Sequence, residues 1–453
     1  MKIELLRRPR LARLRQMAVG GTASIAVNVV ATNMLRIVSS MTLTRLLDTH
    51  AFGVVGVITS VAYMIEMLSD VGLYNFVVRH KDGDNPRFLN QVWTIRLVRG
   101  IMLMLVMMAI SRPAAALLDK PELALVLAIW SVSFLIDGLS SMTFAIAPRQ
   151  QMLWRLSTME LIANLCGLIA SIVGAVITRS YWALIGGMLF GSIVKAALSY
   201  LIFPGSGRRW NFNFARSQEL WRWSRFIAMS SILSLVILQS DKLVLARMMP
   251  LATFGLYAIA TTLAATPGML ATQYATRVLY GAYSHTVRTN PAALGEVLYA
   301  ARRKVLLLYM FGVGGLIGGA PLLIEILYDP RYRGVAPFLQ LLAIAPLLRM
   351  SVLSANEAML ALGYTRSTFM ANLFRITWLA IGGAIGLATG HIMLLVATVG
   401  TIEVPGLLCF WWNLRRRHLL NLREESYGLI AGAIGVGTGW VVARLGMMLI
   451  THL

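Results

Sequence analysis

Long apolar runs recur from one end of the chain to the other, separated by short polar stretches. They fall at 21–44, 53–77, 93–110, 123–147, 158–178, 181–203, 225–248, 253–276, 304–328, 336–362, 367–388, 391–412 and 427–450. Each is close to the ~20 residues that carry a helix across a hydrocarbon core. The pattern therefore predicts an all-α polytopic membrane protein with twelve spans plus one. Nearly every run contains Gly or Ser, as close helix packing in lipid requires. The pairs Gly187/Gly191, Gly315/Gly319 and Gly382/Gly386 mark three packing faces.

Composition agrees. Of 453 residues, 58% are hydrophobic and 13% charged, against about 25% charged in soluble domains. The formal charge of +22 does not call for a nucleic-acid partner, because basic residues gather in cytoplasmic loops of membrane proteins. With the N-terminus in the cytoplasm, most loop Lys and Arg fall inside. Only Arg45, Arg112, Lys120, Arg179, Arg247, Arg331 and Arg333 fall outside. The opening MKIELLRRPRLARLRQ is basic and amphipathic and lacks the features of a cleavable signal. Cys166 and Cys409 lie within apolar runs and read as small apolar side chains. No cofactor is called for.

A short phrase occurs twice. RLLDTHAFGV at 45–54 returns as RMMPLATFGL at 247–256, aligning Arg45 with Arg247, Phe52 with Phe254 and Gly53 with Gly255. Both copies lie in an outer loop, one between spans 1 and 2 and the other between spans 7 and 8. An even number of crossings separates them, so the halves are expected to be parallel repeats about an axis along the membrane normal. STMELIANL at 157–165 and STFMANL at 367–373 form a weaker second echo. In the phrase itself, Arg reaches the headgroups, Phe packs at the interface, and Gly relaxes the turn into the next helix. The expected organisation is a cytoplasmic segment at 1–20, an N-lobe at 21–203, a linker at 204–224, a C-lobe at 225–412, and a basic loop with an extra span at 413–453.

The segments LQSDKLVLARMMPLATFGLYAIA (238–260), RLLDTHAFGVVG (45–56) and APRQQMLWRLSTMELI (147–162) resemble Wzx-type polysaccharide flippases. These belong to the multidrug/oligosaccharidyl-lipid/polysaccharide exporter superfamily. The resemblance spans most of residues 20–412 and its motifs are diffuse. It implies two six-helix lobes around a central cavity that opens alternately to each side of the bacterial inner membrane. It also implies a substrate, an undecaprenyl-diphosphate-linked oligosaccharide carried from the inner to the outer leaflet, with membrane lipids and other polysaccharide assembly proteins as partners. A lipid II flippase or a MATE-like antiporter is the alternative. The odd thirteenth span departs from the usual twelve or fourteen. An enzyme is not expected: outer loops are short, and HExxH, GxSxG and Walker-type motifs are missing.

Ionisable residues in mid-span cost about 2.5–3.5 kcal/mol each on the insertion scale and mark functional sites by default. The cations are Arg36, Lys195, Lys242, Arg349 and Arg375, which on the resemblance would line the cavity and hold the diphosphate through charge-assisted hydrogen bonds. The carboxylates Glu66, Asp70, Asp137 and Glu357 are either salt-bridge partners for these cations or groups for ion coupling. Asp241 and Glu403 also lie within spans. Arg96, Arg99, Arg277, Arg302 and Lys304, nearer span ends, are expected to snorkel to headgroups. Asn290 before Pro291 predicts a helix start with Asn as cap, opening a helix on the membrane surface. Pro267, Pro321, Pro346 and Pro405 lie within spans of the second half. Pro113 falls at a span end, so the second half is expected to bend more.

Overall fold

The structure is a computed structural model that describes residues 38–69, 72–147, 150, 152–203, 209–211, 218, 235 and 237–451. Arg36, Asp70, the basic N-terminal segment and most of the linker at 204–224 lie outside the described residues. The elements are helical throughout the described residues. Among the described residues, ten helices are long and apolar enough to cross a membrane, and a shorter apolar pair covers Leu123–Leu139. Every apolar run contains helix; runs 1 and 7 are described only in part, over 38–44 and at 235 and 237–248. The chain is an all-α multi-pass membrane protein.

By contacts the chain divides into two compact units. Unit 1 takes Met1–Leu47 and Val57–Leu235, and unit 2 takes Asp48–Gly56 and Val236–Leu453. In unit 1, Pro86–Leu117 packs on Val132–Leu139 where Gly100 faces Gly138; a Cβ on Gly100 would stand 2.6 Å from the Phe134 carbonyl oxygen. Leu153–Thr178 packs on Tyr181–Ile202 through Gly167, Gly187 and Gly191. The first predicted glycine pair is thus a packing face.

Unit 2 holds the other two. Gly382 and Gly386 meet Thr398 and Leu395, joining Thr365–Thr389 to Ile392–Gly400. Gly314, Gly315, Gly318 and Gly319 of Arg303–Leu327 lie against Gly432, Gly435, Val436 and Gly439 of Leu422–Thr451. Without hydrophobic drive between helices in lipid, such close backbone approach supplies the packing energy. The thirteenth span is therefore fastened to unit 2 along much of its length. Its first turn is tied as well: Arg302 donates to Glu425, and the two side chains are 1% and 2% exposed. Arg302 consequently does not snorkel, a correction to the sequence expectation; its guanidinium is withdrawn over the Tyr299 ring.

The repeated phrase has a different role for its glycines than the one expected. Gly53 and Gly255 sit inside Thr49–Leu68 and Leu251–Tyr274 with ordinary helical φ, and relax no turn. Both are packing contacts between the opening turns of those helices. Arg45 and Arg247 are exposed.

Prolines interrupt two spans of unit 2. Span 10 breaks at Ala343 between Val335–Leu342 and Ile344–Ala361, three residues before Pro346. Span 12 breaks at 401–402 between Ile392–Gly400 and Glu403–Arg416, just before Pro405. Proline lacks the N–H that would bond to residue i−4, here Leu342 and Thr401, so each helix gives way there. Leu251–Tyr274 continues through Pro267 into a π turn at Ala275–Leu279. Unit 1 is interrupted too, at Ser131 and at left-handed Gly72, with no proline at either place. Pro113 lies inside Pro86–Leu117, one turn before its end, because the helix outruns the apolar stretch.

The helix after Pro291 also differs from expectation. Asn290 precedes the turn, yet its side chain caps nothing. Leu294 and Leu298 are fully buried against unit 2, so the helix is a docked part of the fold. Tyr274 and Tyr283 hold it by donating to the carbonyls of Ala301 and Leu298.

Candidate functional site

Arg349, Arg375 and Glu403 come together in unit 2, and the two helix breaks explain how. Gly400, the last residue before the span 12 break, packs on the backbone of Leu341 and Leu342, just before the span 10 break. The breaks therefore lie side by side. Glu403 opens the helix after one break, and Arg349 lies in the second turn after the other. Interrupted spans with charges at their broken ends are where membrane transporters build binding sites.

Glu403 is 3% exposed and accepts from both arginines: from Arg349 Nη1 at 2.7 Å through Oε1, and from Arg375 Nη2 through Oε2. Arg375 Nη1 donates to Asn372 Oδ1 at 2.8 Å. Gly406 leaves room for Arg375, since a Cβ there would stand 3.0 Å from its Nε. Gly268 does the same for the Arg349 stem, at 3.2 Å from Cδ. Tyr309 Oη donates to the Pro346 carbonyl at 2.6 Å, one turn before Arg349.

Charge accounting gives the cluster its chemistry. Two guanidiniums share one carboxylate, leaving one positive charge in excess. Arg375 is largely buried at 17% exposure, with its donors turned inward, whereas Arg349 is 41% exposed. Among the described residues Nη1 is the one Arg349 donor that is engaged, and Nε and Nη2 remain as a donor edge. Such an edge matches an anionic oxygen pair.

The other sequence candidates lie elsewhere. In unit 1 a cavity of about 250 Å³ is lined by Glu66, Arg96, Arg99, Asp137, Tyr63 and Ser192. Arg96 Nη2 donates to Asp137 Oδ1 at 2.7 Å, and Asp137 also feels the charges of Lys195 and Arg99. Arg99 caps the end of Thr49–Leu68, donating to the carbonyls of Glu66 and Ser69. Arg96 and Arg99 therefore do not snorkel; orphan carbonyls and a carboxylate inside unit 1 hold them more strongly. In unit 2, Asp241 accepts from Tyr257 Oη with Lys242 beside it. Glu357 is buried next to Asn356 and makes no ion pair among the described residues.

Sequence reading thus named the two cations but proposed Asp137, Glu66 or Glu357 as their partners. The carboxylate is Glu403, 54 residues from Arg349 along the chain. A usable signal existed: Glu403 lies two residues before a mid-span proline, and Arg349 three residues after one.

A family model described as "Polysaccharide biosynthesis protein" matches residues 42–337. Among characterised relatives, the lipopolysaccharide biosynthesis protein WzxC of Escherichia coli (strain K12) is 24% identical over 402 residues, covering 86% of this chain and 80% of that one. The succinoglycan biosynthesis transport protein ExoT of Rhizobium meliloti (strain 1021) is 22% identical over 69% of this chain, and the match spans 62% of ExoT. Among solved structures, the lipid II flippase MurJ in an inward closed conformation superimposes with a TM-score of 0.73 at 14% identity, covering 93% of each chain. An inward-facing MATE family transporter gives 0.63 at 13% identity over 85% of this chain and 94% of that one. At these identities the structural likenesses speak for the fold alone.

Proposed function

Since the chain belongs to the polysaccharide biosynthesis protein family, we propose that it is a flippase for lipid-linked oligosaccharides. In this reading it carries undecaprenyl-diphosphate-linked repeat units from the inner to the outer leaflet of a bacterial inner membrane, with its N-terminus in the cytoplasm. It acts as a transporter rather than an enzyme, alongside other polysaccharide assembly proteins. The observation that carries the reading is the open donor edge of Arg349 on a cluster with one surplus positive charge. A diphosphate stripped of water needs such an edge, and Glu403 fixes its direction beforehand. The family match at 42–337 favours polysaccharide carriers over lipid II flippases and MATE antiporters.

Neutralising Arg349 and Arg375, singly and together, is expected to cut polysaccharide export while leaving the protein in the membrane. Full export by every variant would remove the diphosphate role.

The unit 1 cavity supports a role in coupling. Asp137, held on one side by Arg96 and half-exposed to the cavity, is the proposed ion-responsive carboxylate, with Glu66 in the same lining. Outward movement of an anion is already favoured by about 2.3 kcal/mol per charge per 100 mV, so coupling modulates transport rather than powering it alone. Asp137→Asn should change how export responds to a pH gradient at constant potential; an unaltered response excludes the role.

A further inference from the structure

Spans 11 and 12 carry an uncompensated positive surface at one shared end. Thr365–Thr389 and Glu403–Arg416 run antiparallel, joined by Ser367 with Asn413 near that end and by Arg375 with Gly406 further along. Arg366, Arg415, Arg416 and Arg417 therefore gather together. Arg417 is half-buried and the other three are exposed. None of the four makes an ion pair among the described residues. Glu403 is the one carboxylate between positions 364 and 421 of the sequence, and it is committed to Arg349 and Arg375. The next two, Glu424 and Glu425, pair with Arg303 and Arg302.

Two of these guanidiniums are held in place. Arg416 lies over the Trp412 ring and Arg417 over the Tyr364 ring, each 3.7 Å from the ring centroid. Arg417 Nη1 also donates to the Asn413 carbonyl at 3.0 Å. Trp412 and Tyr364 are 54% and 46% exposed, so both stacked pairs stand at the surface, where the rings hold the cations without neutralising them. The order along each helix is informative. Leu408, Trp412 and Arg416 follow one another at four-residue spacing on one exposed face of span 12. Leu373, Phe369 and Arg366 repeat that order on span 11, towards the same end. Alkyl, aromatic, then cation is the sequence of layers that a bilayer presents from hydrocarbon to phosphate. Beyond Leu373 the exposed side of span 11 continues through Ile381 and Ile385, apolar surface that suits hydrocarbon rather than water.

We propose that this surface is a binding site for the headgroup of an anionic glycerophospholipid. Arg416 and Arg417 hold the phosphodiester through charge-assisted hydrogen bonds. Trp412 and Leu408 meet the start of its acyl chains. A zwitterionic lipid brings its own cation against four arginines, so the site selects net negative charge. The assignment does not depend on what the protein carries.

The full chain in detergent is titrated with phosphatidylglycerol and with phosphatidylcholine, and bound lipid is counted by native mass spectrometry. Arg416→Gln combined with Arg417→Gln is expected to weaken phosphatidylglycerol about thirtyfold. Phosphatidylcholine binding should not change, which shows that the variant is folded. Arg277→Gln combined with Arg288→Gln removes two exposed arginines elsewhere in unit 2 and should alter neither lipid. Wild-type phosphatidylglycerol binding by the Arg416/Arg417 variant overturns the assignment. An equal loss in the Arg277/Arg288 variant overturns it as well, because total charge is then the cause. Displacement of phosphatidylglycerol by far less undecaprenyl diphosphate would also overturn it, since the surface would then belong to a carrier lipid.

Discussion

Gly53 and Gly255 are pressed against each other's helices in a reciprocal contact: a Cβ on Gly255 would overlap the Thr49 carbonyl oxygen and stand 2.8 Å from Gly53 N, while one on Gly53 would overlap the Leu251 carbonyl oxygen. Thr49 and Leu251 open the two helices, and each glycine follows four residues later. Each glycine thus sits on the residue that opens the other's helix. The repeated phrase is therefore a place where the chain meets its own copy.

That contact predicts a sign change between glycines. In a helix interior, Gly→Ala ordinarily gains about 0.5–1 kcal/mol. At Gly281, which faces open space, Gly→Ala should hold or raise the melting temperature in detergent. At Gly53 or Gly255 the new methyl meets backbone that cannot swing aside, and overpacking of this kind costs about 1–3 kcal/mol. A lower melting temperature is expected at both. Equal behaviour of Gly255→Ala and Gly281→Ala would contradict the contact.

Double-mutant cycles on the cation cluster should give unequal couplings. Both arginines bond to Glu403, but Arg375 is 17% exposed and Arg349 41%. Solvent weakens the more exposed pair, so the Arg375–Glu403 coupling should be the larger, within the ~0.5–3 kcal/mol usual for contacting residues. Thermal unfolding of the four variants of each cycle measures it. A stronger Arg349–Glu403 coupling would mean that Arg349 is closed off rather than available to a ligand.

The prolines should trade stability against transport. Pro346→Ala and Pro405→Ala restore an N–H facing Leu342 or Thr401, and each helix can then run on. Slower amide exchange around 342–346 and 401–405 and reduced export at normal abundance are expected together. Slower exchange with normal export would show that the breaks do not set the position of Arg349 and Glu403.

The Arg302–Glu425 pair should behave as a buried charge pair does. Glu425→Gln leaves a fully buried guanidinium without its counter-charge, at about 3–5 kcal/mol. The double variant Arg302→Met with Glu425→Leu removes both charges and should recover most of that loss. Protease resistance of the loop before Leu422 and the melting temperature report it. A double variant no better than the single would mean that other contacts hold the last helix.

Much of the architecture was legible before any coordinates, because the bilayer imposes its thickness on the chain. The apolar runs marked the helices, and the pairs Gly187/Gly191, Gly315/Gly319 and Gly382/Gly386 marked faces that do pack. Proline positions located the breaks of spans 10 and 12. The interruptions at Ser131 and Gly72 were not legible. No missing N–H forces them, and packing within unit 1 decides.

The charged residues divide along the same line. Hydropathy alone determined that Arg349, Arg375 and Glu403 lie inside the membrane, where charge must be compensated, because that cost depends on depth, a local property of each span. Which carboxylate serves which cation depends on contacts between distant segments. Only the tertiary structure joined Arg349 to Glu403, sent Arg96 to Asp137, and drew Arg302 inward to Glu425. A charge inside lipid takes its partner from the neighbouring helix that comes within reach, and glycines set that reach: Gly400 lets two backbones approach, and Gly406 leaves room for the Arg375 guanidinium.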